Sequence, residues 1–302
     1  MLTGLFRGGG VVVLTGAGLS TESGIPDYRG ATGRARRAEP MTYQTFTGSE
    51  AARQRYWARS HLGWRHIATA RPNAGHRAVA ALERRGLVRG IITQNVDGLH
   101  QAAGARNVTE LHGSLHRVVC LSCWERTPRL SLDDRLQAAN PAWRDRDTEI
   151  NPDGDAAVQD TSGFVIADCE GCGGVLKPDV VFFGENVPGI RVAACYDLVS
   201  AASSLVVLGS SLTVMSGYRY VRHAAARGIP VVIVNQGATR GDALAAATLD
   251  APLGDTLRAV AARMGGSLWS VSGISSRCCT ARTGRGCPCR ARCAASTTRT
   301  SW

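Results

Sequence analysis

Lysine is almost missing from this 302-residue chain, with Lys177 alone against 34 arginines. A bias that strong follows from G+C-rich coding and assigns no special task to the arginines. Long apolar runs are missing too. The longest stretch without a charge, Leu198 to Tyr218, carries six serines, too polar for a membrane span. No transmembrane helix and no membrane partner are expected. Met1 to Arg7 lacks the charged, apolar and cleavage regions of a secretory signal, so a cytoplasmic location is expected. Acids are missing from residues 267–302, which hold six arginines and so account for more than half of the net charge of +11. The basic balance is therefore a property of the tail. Between Trp124 and Asp168 the sign reverses, with ten acids against five arginines.

What is present is ordinary globular composition, 44% hydrophobic and 20% charged, which excludes wholesale disorder, collagen and coiled coil. At roughly 150 residues per domain, the length suggests about two domains. Val11 to Leu14 is a short apolar run entering the glycine turn Thr15-Gly16-Ala17-Gly18. Further runs at Val88–Thr93, Val180–Phe183, Leu205–Leu208 and Val231–Val234 alternate with helical patterns at Glu50–His66, Ala74–Arg85, Gly217–Arg227 and Asp255–Met264. Such alternation predicts an α/β fold with a Rossmann-like parallel sheet. Gly86 and Gly228 stand where helix C-caps belong.

The ten cysteines divide by spacing. Cys120 with Cys123, and Cys169 with Cys172, form two Cys-x-x-Cys pairs, the ligand set of a closed tetrahedral zinc site. A site with four thiolates leaves no open position, so one structural Zn2+ is expected. Two reduced thiol pairs, or disulfides, are the alternative. A zinc ribbon also suits nucleic acid, but the acidic stretch between the pairs has the wrong sign for phosphate, and no specific nucleic-acid partner is expected. A turn at Pro152-Asp153-Gly154 is expected in that acidic stretch. Cys195 is isolated. Five more cysteines lie between Cys278 and Cys293, in a Ser-, Thr-, Gly- and Arg-rich tail with no apolar periodicity. Residues 266–302 are read as disordered, with the composition that a frameshifted G+C-rich frame gives.

Gly16-Ala17-Gly18-Leu19-Ser20-Thr21-Glu22-Ser23-Gly24-Ile25-Pro26-Asp27-Tyr28-Arg29 resembles the signature of the sirtuins, NAD-dependent protein deacylases. Five further blocks match in order. Thr93-Gln94-Asn95-Val96-Asp97-Gly98-Leu99-His100 is similar to their nicotinamide-ribose block, and Glu110-Leu111-His112-Gly113 to the block of their catalytic histidine. Lys177-Pro178-Asp179-Val180-Val181-Phe182-Phe183-Gly184-Glu185 resembles their substrate strand. Gly209-Ser210-Ser211-Leu212 and Val234-Asn235 resemble the adenosine-side blocks. Within the family, Pro26-Asp27-Tyr28-Arg29, Arg53–Arg59 and the long insertion are most similar to class II, the mitochondrial-type branch and its bacterial relatives.

The resemblance implies transfer of the acyl group of an acyl-lysine protein or peptide to the ADP-ribose part of NAD, with release of nicotinamide. His112 is then the base, with Asn95 and Asp97 beside it. NAD contacts fall on Gly16, Ala17, Gly18, Ser20, Ile25, Asp27, Tyr28, Arg29, Gln94, Asn95, Val96, Asp97, Gly209, Ser210, Ser211, Asn235, Gln236, Gly237 and Leu253. The glycines permit close approach to a pyrophosphate ahead of a helix N-terminus. Capping of the next helix is the bland reading of Asn95 and Asp97. Substrate contacts fall on Val180, Val181, Phe182, Phe183, Gly184 and Glu185, where an extended peptide adds to the strand. Tyr56 and Arg59 share a helix face and resemble the pair that desuccinylases use on an acyl carboxylate. Protein mono-ADP-ribosylation from the same NAD site is the alternative activity. The implied layout is a discontinuous NAD-binding domain (1–30, 72–117, 177–265) and a smaller zinc-bearing domain (31–71, 118–176).

Overall fold

The computed structural model describes residues 2–27, 40–143 and 155–264. Tyr28, Arg29, the Pro152-Asp153-Gly154 turn and the 266–302 tail lie outside the described residues. Helix α1 (Leu2–Gly8) leads into β1 (Val11–Thr15). Then come α2 (Tyr43–Gly48), α3 (Glu50–Thr69), α4 (Ala74–Arg84), β2 (Val88–Thr93), α5 (Leu99–Ala102) and β3 (Val108–Glu110). The middle of the chain forms β4 (Gly113–Cys120), β5 (Arg126–Pro128), α6 (Arg129–Ala139) and β6 (Leu176–Val180). Last come α7 (Gly189–Ser200), β7 (Ser204–Leu208), α8 (Met215–Ala226), β8 (Val231–Val234), β9 (Ala247–Leu249) and α9 (Leu253–Arg263).

Six strands pair in the order β3-β2-β1-β7-β8-β9, and every pair is parallel. Successive side chains of a strand face opposite sides. Val11 and Val13 accordingly pack with Phe6, Leu82 and Leu257, and Val12 and Leu14 with Val199, Tyr220 and Val221. Burial on both faces explains why β1 reads as an unbroken apolar run. The order reverses between β1 and β7, and the crevice of such a sheet opens at the carboxyl ends of the strands there.

Helix termini follow local chemistry. Ser49 accepts the Ala52 amide at 3.2 Å and starts α3 at the expected Glu50, and the helix runs three residues beyond the expected His66. Asn73 caps α4 in a capping box with His76. Gly86 and Gly228 take positive φ, 72° and 69°, just past α4 and α8, as C-terminal glycines do.

The second sheet, β5-β4-β6, is antiparallel. Its core joins Val118 and Leu176 to Phe46, Tyr56, Trp57, Leu62, Leu132, Leu136 and Phe164, and Trp57 Nε1 donates to the Leu176 carbonyl at 3.2 Å. This sheet corrects one expectation: the strand near Val180 is not part of the parallel sheet. It runs from Leu176 to Val180 against β4, because Gly113, at φ 84°, lets β4 approach so closely that a Cβ would lie 2.0 Å from the Asp179 oxygen. Strands β4 and β6 both cross the expected boundaries at 117/118 and 176/177. No helix among the described residues is long and apolar enough to cross a membrane.

Candidate functional site

The loops after β1 and β7 meet backbone to backbone at the switch point. Gly18 N–H donates to the Gly209 carbonyl at 2.9 Å, and Gly16 N–H to that of Leu208 at 3.1 Å. A Cβ on Gly16 would sit 2.7 Å from Ser210 Cβ, and one on Gly18 2.9 Å from Gly209 O. These glycines are thus demanded by loop packing before any ligand arrives. The chain continues from them not into an α-helix but through two short 3-10 turns, Ala17–Leu19 and Thr21–Ser23. The expected helix N-terminus is corrected accordingly.

Beside this contact runs a polar network. Ser20 Oγ donates to Asp97 Oδ2 at 2.7 Å, while Asn95 Nδ2 donates to Ser20 Oγ at 3.0 Å and to the Gly16 carbonyl at 3.1 Å. Asp97 Oδ1 accepts the Leu99 amide at 2.9 Å, so Asp97 does serve the start of α5, yet its other oxygen faces Ser20. Burial pushes the Asp97 carboxyl above the usual range, although the Leu99 and Ser20 bonds oppose this. Gln94 Nε2 donates to Ser210 Oγ at 2.8 Å and to the Thr15 carbonyl at 3.3 Å. Ile25 is buried with Trp64, Leu99 and Leu115, and Val96 packs against them.

His112 lies between β3 and β4. Its Nδ1 is 2.9 Å from the Gln94 carbonyl, which can only accept, so Nδ1 carries the proton and donates. Its Nε2 is then an acceptor, 2.7 Å from Ser216 Oγ. Burial lowers the His112 pKa, and Arg191 adds to this against the Gln94 bond. The result is a neutral imidazole with an unprotonated Nε2.

The residues expected on the adenosine side lie along the ends of β7 and β8. Leu253 closes on Gly209, whose Cβ would meet Leu253 Cδ1 at 2.7 Å. Asn235 Nδ2 donates to the Gln236 and Gly237 carbonyls at 3.0 and 2.9 Å. On the other side, Val181 N–H donates to the His112 carbonyl at 2.8 Å. Phe183 bridges Thr42 and its carbonyl accepts the Tyr43 amide at 2.9 Å, so part of this segment is already paired within the chain. Tyr56 is buried edge-on against Phe46 and Phe182. Arg59 turns elsewhere, donating from Nε to the Val158 carbonyl at 2.8 Å.

The four cysteines of the two pairs converge. Their sulfurs all lie within 4.8 Å of one another, with Cys120 to Cys172 at 3.5 Å and Cys123 to Cys169 at 3.8 Å. Tetrahedral Zn–S bonds of about 2.3 Å place sulfurs about 3.8 Å apart, so the donor set fits zinc. None of the four is in a disulfide. Gly174 makes room, since its Cβ would stand 2.8 Å from Cys120 Sγ.

A model of the Sir2 family matches residues 16–216, a span containing the glycine turn, His112 and the cysteine cluster. This chain is a member of the Sir2 family. It is 63% identical over 261 residues to a protein of Streptomyces coelicolor named NAD-dependent protein deacetylase 1, covering 86% of this chain and 87% of that one. A Mycobacterium avium protein of the same name is 54% identical, covering 86% and 93%. Among solved structures, a Sir2–p53 peptide–NAD+ complex matches with a TM-score of 0.69 at 30% identity, covering 86% of this chain and 95% of that one.

Three neighbours in this Sir2-family chain escaped the sequence reading. Ser216 faces His112. His116 Nε2 donates to the Asp97 carbonyl at 2.9 Å. Arg191 Nη1 donates to the Leu111 carbonyl at 3.2 Å. Only for Ser216 was there a signal, its place at the start of the helix that follows the carboxyl end of the apolar strand β7, the end at which open sheets bind ligands.

Proposed function

We propose that this chain is an NAD-dependent protein lysine deacylase that moves the acyl group of an acyl-lysine protein or peptide to ADP-ribose and releases nicotinamide. The observation that carries this reading is the neutral His112, its Nδ1–H fixed on the Gln94 carbonyl and its Nε2 turned to a hydroxyl. When bound, NAD supplies a ribosyl carbon with a good leaving group. The residues expected to hold it are Gly16 to Gly18, Ser20, Ile25, Asp27 to Arg29, Gln94 to Asp97, Gly209 to Ser211, Asn235 to Gly237 and Leu253. Ser20, Asn95 and Asp97 offer short donors and acceptors of the kind that orient a sugar. Nε2 of His112, which carries no proton and now meets the Ser216 hydroxyl, would accept a proton from a hydroxyl brought to it.

Val180 to Glu185 form the segment that the peptide lies along in this reading. Tyr56 and Arg59 are assigned to the acyl side, where a carboxylate-bearing acyl group offers Arg59 a charged partner in place of the Val158 carbonyl. The parallel sheet serves as the NAD-binding part, the cysteine module as a structural zinc part, and the sequence blocks group the chain with class II. Free thiols at the metal cluster suit a reducing compartment, in keeping with a cytoplasmic protein.

The test is incubation with NAD and acetyl-, succinyl-, glutaryl-, lipoyl- and long-chain-acyl peptides, with products identified by mass. Free lysine peptide and acyl-ADP-ribose are expected; ADP-ribose on protein instead would favour the transferase activity. His112→Ala is expected to slow acyl removal by about 10²–10⁴-fold while NAD binding persists. The pH profile checks the same residue. Because burial holds His112 below the ordinary value of 6.5, the base stays neutral as pH falls through 6.5, and rate is expected to fall only in more acid solution. An acid limb centred at or above pH 6.5 contradicts this.

A further inference from the structure

The single lysine of the chain is buried. Lys177, on β6, is 3% exposed. Its ammonium donates to the carbonyls of Val180 and Pro178, the latter at 3.3 Å, and to Glu185 Oε2 at 3.1 Å. All three of its N–H groups therefore have acceptors. It also lies 4.8 Å from the centre of the Phe182 ring, a favourable place for a desolvated cation.

Glu185 completes the arrangement. The oxygen that receives Lys177 also accepts the Phe182 amide at 2.9 Å, and the Glu185 amide donates back to the Phe182 carbonyl at 3.1 Å. The ion pair thus closes a tight loop over Val181 to Gly184. That loop is tied to the candidate base, since Val181 N–H holds the His112 carbonyl. Its outer side is tied to α2, where Gln44 Nε2 donates to the Gly184 carbonyl at 3.1 Å. A buried ion pair is a poor source of stability, because well-packed apolar residues serve as well or better. What such a pair does supply is a defined geometry, here of the backbone that runs from His112 to Gly184.

We propose that Lys177 is a positioning residue for the peptide substrate: through Glu185 it holds the Val181–Gly184 backbone in the shape that receives an extended acyl-lysine segment beside His112. This rests on the deacylase reading. It explains why Glu185, expected at the substrate, turns its carboxylate into the chain.

The experiment uses the full chain, its Lys177→Met, Lys177→Arg and Glu185→Gln variants, and an acetyl-lysine peptide. In Lys177→Met and Glu185→Gln the KM for peptide is expected to rise at least tenfold while the KM for NAD stays within twofold. Lys177→Arg, which keeps the charge, is expected to recover most of the loss. A second readout needs no turnover. With one lysine in the chain, labelling by an amine-reactive acetate ester reports that amine alone, apart from the terminal one. Native protein is expected to resist labelling at Lys177, and Glu185→Gln to accept it at least tenfold faster, even if Lys177→Met fails to fold. An unchanged peptide KM in a folded variant, equal rises in both KM values, or rapid labelling of the native protein overturns the proposal. If the native protein turns over no acyl peptide, the deacylase reading itself fails, while resistance to labelling still shows that the Lys177–Glu185 pair is closed.

Discussion

The parallel sheet and the antiparallel one both bring distant loops together, by different means. At the crevice, the loops after β1 and β7 touch through bare backbone, with Gly16 and Gly18 against Gly209. In the antiparallel sheet, the loops carrying Cys120 and Cys169 meet through sulfur and have room for a metal. The first contact stands on a six-stranded core buried on both faces and needs nothing from outside. The second stands on three strands and a helical layer, and a small module of that kind relies on a cross-link. The glycine contact and the cysteine cluster thus hold loops by different means, one through backbone packing and the other through sulfur.

Removing zinc tests this difference most severely. Structural zinc contributes about 10–16 kcal/mol in small modules. Chelation is expected to loosen the antiparallel sheet, seen as a red shift in fluorescence from buried Trp57 and Trp143, while amide exchange in β1 and β7 stays slow. Equal loosening of both sheets would erase the distinction. Gly18→Ala attacks the other side. Its Cβ would press on Gly209 backbone at 2.9 Å, so a loss of about 1–3 kcal/mol is expected in urea unfolding, the range for overpacked sites. A loss within error would mean that the loops are free to part.

The smallest effect is a gain. The two cysteine knuckles place equivalent residues, Trp124 and Gly173, at φ 64° and 68°. Glycine adopts this conformation freely, whereas other residues bear roughly 1–2 kcal/mol of strain. Trp124 is 65% exposed, so its side chain contributes little packing. Trp124→Gly is expected to stabilise the zinc module by about 1 kcal/mol, read as a higher Tm. A lower Tm would show that the exposed ring matters to the fold.

Much of this was legible from residue order alone. The valine run and glycine turn at 11–18 announce a buried strand and its loop, because a parallel strand covered on both faces has no polar side to alternate with. Paired Cys-x-x-Cys fragments announce their cluster, because the spacing within each pair already matches a knuckle. The capping glycines at 86 and 228 are likewise local, each demanded by the backbone turn it occupies.

Tertiary structure decided what depends on meeting across sequence distance. The apolar run at Val180 looks the same whichever sheet receives it, and only the close approach at Gly113 assigned β6 to the antiparallel sheet. Ser216 reaches His112 from 104 residues away, and nothing near either residue records the pairing. Lys177 carries no mark in sequence of the Tyr43 ring, which α2 brings to 6.0 Å from its ammonium. Periodicity and spacing report conformations that a segment can adopt alone. The pairing of His112 with Ser216 exists only once packing has brought separate segments together.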